Sequence, residues 1–116
     1  MRYALLIYTQ EAEDPQPGTP EADQVFKEYF EYTSRINEQG INRGGEALMP
    51  TAAATTVRVR EGEVLTTDGP FAETKEQLGG FYLAECDDLD TALVAAAGIP
   101  GAKRGSIEVR PIIESE

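Results

Sequence analysis

Residues 3–8, Tyr3-Ala4-Leu5-Leu6-Ile7-Tyr8, form an apolar run in which odd and even positions are equally greasy. Six residues is the length of a strand, and a strand apolar at both parities is one covered on both faces. The segment from Gly79 to Cys86 repeats the pattern, with Phe81 and Leu83 alternating against Tyr82 and Ala84. Two such strands predict the middle of a sheet with something packed on each side.

Reading outward, Gln10 to Gly18 is acidic and broken by Pro15 and Pro17, an exposed loop. Thr19-Pro20 has the form of an N-cap followed by proline at N1, with Glu21 and Asp23 suited to the positive first turn. Val25, Phe26, Tyr29, Phe30, Thr33 and Ile36 then recur at helical spacing, and Gly40 offers a stop. Ile41 to Met49 reads as a strand interrupted by Gly44-Gly45, a pair that signals a bulge or close backbone contact. Thr55 to Arg60 and Glu63 to Thr67 flank Glu61-Gly62 as a β-hairpin. Asp68-Gly69-Pro70-Phe71 is a turn, and Ala72 to Leu78 has helix-friendly composition. Asp88 can cap a helix carrying Leu89, Ala92, Leu93 and Ala96, ended by Gly98-Ile99-Pro100, before a last strand at Ser106 to Ile112.

The order is β-α-β, hairpin, β-α-β across one domain, residues 1–116. That is an α+β fold, a ferredoxin-like βαββαβ sandwich with an inserted β-hairpin. Two helices cover one face of the sheet and leave the other bare. A second copy is the simplest cover, so a homodimer packed sheet to sheet is expected.

Charge and composition narrow the function. Ten Lys plus Arg against 21 Asp plus Glu leave a net charge of −11, and the pI is about 4.4. Such a surface repels phosphate backbones and anionic lipid, so direct nucleic-acid and membrane partners are not expected. There is no histidine, which removes every imidazole base, Ser-His-Asp triad and His-ligated metal site. The single Cys86 has no intramolecular partner, which suits a reducing cytoplasm. The apolar start is too short for a secretory signal or a membrane span.

The stretch from Thr67 through Asp68-Gly69-Pro70-Phe71-Ala72-Glu73-Thr74-Lys75 to Gly79-Gly80-Phe81-Tyr82-Leu83 resembles the signature of DGPF-domain proteins, a branch of the YCII-related family. The first strand, Gly44-Gly45-Glu46-Ala47-Leu48, Thr55 to Arg60 and Gly105 to Pro111 are similar to it in the same order. The resemblance implies a dimeric α+β barrel with pockets between sheet and loops. It also implies a link to sigma-factor-like regulators and a relationship to isomerases and dehydrochlorinases of aromatic breakdown. A His-Asp acid/base pair proposed for part of the family has no counterpart here.

Candidate residues follow from position. Asp68 opens a Gly-Pro turn, where a carboxylate either accepts backbone N–H groups or serves as a base or ligand hook at a pocket mouth. Glu46 follows two glycines inside a strand, and Arg110 is its expected counter-charge or a fork for a ligand carboxylate, with Glu108 competing for it. Lys75 reads as part of a solvated loop or short helix, with a cation at a pocket edge as the alternative, and Tyr8 as a core aromatic with a wet tip, with a hydroxyl donor to a ligand oxygen as the alternative. Phe71 is expected to plug the core and Cys86 to be a buried small hydrophobe with a raised thiol pKa. Asp87, Asp88 and Asp90 read as a helix cap, so neither metal nor cofactor is expected.

Three functions fit these residues. The first is a small dimeric protein binding a small organic anion or aromatic ligand at the sheet face, an accessory to a sigma-factor-like regulator. The second is an isomerase- or lyase-type enzyme with Asp68 or Glu46 as base and Arg110 stabilising an enolate-like intermediate. The third is a pure protein-interaction module.

Overall fold

The computed structural model describes residues 1–114. Arg2–Thr9 is strand β1, and its burial alternates strictly: Tyr3, Leu5, Ile7 and Thr9 are buried, and the residues between them are partly exposed. Helix α1, Pro20–Glu38, follows with Thr19 as its cap, the hydroxyl accepting the Ala22 N–H at 3.2 Å. Next come β2 (Asn42–Ala47), the paired strands β3 (Thr55–Arg60) and β4 (Glu63–Asp68), β5 (Gln77–Glu85), helix α2 (Leu89–Ala97) and β6 (Ser106–Pro111). Short 3-10 turns lie at Glu11–Glu13, Thr51–Ala53 and Pro100–Lys103.

Strands β2, β5, β1 and β6 lie side by side in that order, and each neighbouring pair is antiparallel. Together with α1 and α2 this is a mixed α+β, ferredoxin-like arrangement. Register assigns the faces. Ile7 opposes Gly80 and Ile107, Leu5 opposes Tyr82 and Val109, and Tyr3 opposes Ala84. These residues pack with Tyr32, Ile36, Ala92, Ala96 and Ile99 from the helical layer to form the core. Ala4, Leu6, Leu83 and Phe81 point the other way, beside Glu46, Glu108 and Arg110. On this second face Ala4, Leu6, Phe81 and Leu83 are partly exposed, and none of them is fully buried.

Glycine breaks the regularity at two places. The β2–β5 register slips between Asn42 and Gly44, and the β1–β5 register slips where Gly79 is left over. Around these slips β2 runs tight against β5: a Cβ built on Gly80 would lie 2.8 Å from the Glu46 carbonyl oxygen.

Several local expectations are corrected. Ala72 to Glu76 forms bends rather than a helix, and β5 already begins at Gln77. The residues preceding it find no apolar stripe to bury, so composition alone does not hold a helix. Helix α1 is rotated from the expected stripe: Tyr32 and Ile36 reach the core, whereas Phe26 and Phe30 stay exposed. Phe71 does not plug the core and is 76 % exposed. No described helix is long and apolar enough to cross a membrane.

Candidate functional site

A cleft of about 620 Å³ lies between the first half of α1 and the β1–β5–β2 part of the sheet. It exists because the facing surfaces do not meet. Val25, Phe26 and Tyr29 line it from the helix, and the sheet opposite offers Gly45, Ala47, Gly79 and Gly80, which carry little or no side chain to fill the gap. The walls are mainly apolar.

Polar groups gather at defined points. Arg104 donates to Asp14 at 2.5 Å, both side chains being about one-third exposed. One oxygen occupies one guanidinium N–H and leaves other donors of the fork available. Tyr29 accepts the Gly101 N–H at 3.2 Å, and burial raises its phenol pKa above the ordinary value, the Gly101 hydrogen bond and Arg104 opposing. Gly101 is required there, since a Cβ would stand 2.8 Å from the Tyr29 hydroxyl. Deeper in, the Tyr82 and Thr33 hydroxyls share a hydrogen bond of 2.7 Å. At the far end Glu11 accepts from the Thr51 N–H at 2.8 Å and from its hydroxyl at 2.7 Å.

Both Glu11 oxygens are held by Thr51 donors, and Asp14 is engaged by the Arg104 guanidinium. Tyr29 is kept as a neutral phenol. Among the described residues no group of three or more Cys, Asp or Glu side chains is placed to hold a metal ion.

The residues singled out from sequence are dispersed. Glu46 alone borders the cleft, and it is exposed, opposite Phe81. Arg110 lies on β6, at the other edge of the sheet, about 14 Å away by three strand spacings. The expected Glu46–Arg110 pairing is therefore replaced within one chain by a close Arg110–Glu108 ion pair, the competitor two residues away. Tyr8 is half-buried on the bare sheet face opposite Ser106 and Leu78. Asp68 is exposed at the foot of the β3–β4 pair opposite Thr55, and Lys75 is exposed among the bends before β5. None of Tyr8, Asp68, Lys75 and Arg110 lines the cleft.

Cys86 is buried, and its thiol pKa is raised mainly by that burial, with Asp87, Glu85 and Asp88 adding and the amino terminus opposing.

Sequence reasoning missed Arg104, Asp14, Tyr29 and Glu11. A signal was present for one of them: Tyr29 belongs to the aromatic stripe, and Gly101 after Pro100 marks a close backbone approach. Arg104 and Asp14 are 90 residues apart and meet only through the fold.

The YCII-related domain family matches residues 1–116. An uncharacterized protein of Rhizobium meliloti (strain 1021) is 41 % identical over 114 residues, covering 97 % of this chain and 92 % of that protein. A match over the whole chain, joined to the ferredoxin-like strand order, makes this chain a member of the YCII-related family.

Proposed function

We propose that the protein binds a small organic anion with a flat apolar or aromatic body in the cleft under α1. The observation that carries this reading is the pairing of mainly apolar walls with one accessible guanidinium, Arg104, at the rim. Apolar pockets with few, placed polar groups bind small molecules by burying the body and orienting the charge. A carboxylate would share Arg104 with Asp14, and the flat body would lie between Phe26 and the Gly79-Gly80 backbone.

The working unit in this reading is a homodimer, two sheets packed through Leu6, Phe81 and Leu83 as a dimeric α+β barrel with its hairpin insert. Support comes from the apolar side chains of Leu6, Phe81 and Leu83 on the face away from the helices, which stay partly exposed in the single chain.

The test is an NMR titration with 2-naphthoate, using 2-naphthalenemethanol as the uncharged control. Saturable shifts at Thr9, Ala47 and Gly80 are expected for naphthoate. Arg104→Gln should weaken naphthoate about tenfold, the loss of one charge-assisted contact, while leaving the alcohol unchanged. Shifts confined to the bare sheet face, or equal affinity in Arg104→Gln, would overturn the assignment.

A further inference from the structure

The β3–β4 pair stands apart from the four-stranded sheet as its own two-stranded sheet. Twelve residues long in its strands, it has every position exposed except Thr56, which is partly buried. Register sorts its side chains. Val57 opposes Thr66 and Val59 opposes Val64 on one face; Arg58 opposes Leu65 and Arg60 opposes Glu63 on the other. Val57, Val59 and Val64 are 60, 59 and 68 % exposed, although a one-sided valine face is the pattern of a strand pair that packs on something. An isolated two-stranded ribbon in water is marginal at best.

The arm is nevertheless fixed at its root. Thr51 is held by Glu11, the Gly69 N–H donates to the Ala54 carbonyl at 2.7 Å, and the Thr56 hydroxyl donates to the Gly69 carbonyl at 2.8 Å. Glu11 thus ties the approach to the arm to the body of the fold, and the other two bonds close the arm's own base.

Area decides what docks. The chain exposes 8157 Å², against about 6,200 Å² for a folded monomer of 12.6 kDa. Its radius of gyration is 16.1 Å, against about 13 Å for a compact chain of this length. The excess is about 2,000 Å² per chain, or about 4,000 Å² for two chains, within the range of total area that obligate homodimers bury. The bare sheet face has a footprint of about 400 Å² from its strand spacing and rise, and twice that with side-chain relief. More than half of the excess therefore lies elsewhere, and the arm is the element exposed on both faces.

We infer that the β3–β4 arm is a self-association arm, its Val57–Val59–Val64 face seated on a second copy of this chain. The inference deepens the homodimer reading, and it assigns to the arm a share of the interface that the sheet face cannot supply.

The experiment is sedimentation equilibrium of three proteins: wild type, Val59→Lys/Val64→Glu, and Leu6→Lys on the sheet face. The paired exchange at directly opposed positions keeps the ribbon through a cross-strand ion pair. Wild type should sediment at twice the chain mass, and the arm variant's dimer dissociation constant should rise at least 100-fold. Peptides from residues 55–68 of wild type should also gain hydrogen-exchange protection on going from sub-micromolar to 100 μM protein. An arm variant that dimerises as tightly as wild type, with Leu6→Lys monomeric, overturns the arm and leaves the sheet-to-sheet dimer standing. A monomeric wild type at 100 μM overturns both.

Discussion

Thr51 holds both carboxylate oxygens of Glu11, its N–H on Oε1 at 2.8 Å and its hydroxyl on Oε2 at 2.7 Å, across 40 residues of chain. Glu11 completes the knot from its own backbone, whose N–H donates to Gln77 Oε1 at 2.9 Å. One acidic residue after β1 thus ties together the two ends of the excursion that carries the β3–β4 arm.

Removing that knot should loosen the arm's root and cost stability. Glu11→Gln replaces one of the two acceptor oxygens by an NH2 group facing a Thr51 donor, and Thr51→Val deletes the hydroxyl. Each is expected to lower the unfolding free energy by about 1–2 kcal/mol, the range for a partly buried charge-assisted hydrogen bond, as read from urea melts. The double variant should lose less than the sum of the two. Strict additivity would show that the two side chains do not act on each other.

The glycine pair at the start of β5 should divide sharply. Gly80→Ala brings a methyl to within 2.8 Å of the Glu46 carbonyl oxygen, a backbone atom that cannot turn aside. Opening β2 from β5 to admit it is expected to cost about 1–3 kcal/mol. Gly79→Ala meets open space and should stay within about 0.5 kcal/mol. Thermal melts of the two variants decide it; equal losses would refute the tight β2–β5 approach as the cause.

Asp88 predicts an acid-dependent term. Its carboxylate accepts from the Thr91 N–H and the Thr91 hydroxyl, both at 2.8 Å, and these bonds hold its folded-state pKa below the ordinary value. A depressed carboxylate pKa stabilises the fold fully above the unfolded-state value, and the contribution is lost as pH falls through the lower, folded-state value. Wild type should therefore melt above Asp88→Asn at pH 7, and the gap should close on acidification toward pH 2. A gap of constant size would assign the cap to geometry alone.

Local signals carried most of the fold. Thr19 and Asp88 cap their helices as their residue types demand, and Gly40, at φ 75°, follows the end of α1. Glu61 and Gly62 both take positive φ in the turn joining β3 to β4. Each of these is settled within a few residues. What escaped the sequence was rotation and distance. The stripe read on α1 contains Phe26 and Phe30 but not Tyr32, and only the rotation of the helix over the sheet decides that Tyr32 is buried and the two phenylalanines are not. Glu46 and Arg110 share a face, but strand order sets them on opposite edges, so chemical suitability could not make them neighbours. Arg104 and Asp14 gave no motif because nothing links them except the path of the chain.

Strands β2 and β5 are neighbours, and the arm leaves from the end of one and returns to the start of the other. Its two ends are therefore joined by the sheet whatever lies between them. Lengthening or trimming the ribbon by matched residue pairs keeps every valine on its own side and leaves the Ala47–Gly80 pairing in register. The reach of the ribbon is thus independent of the four-stranded frame from which it springs.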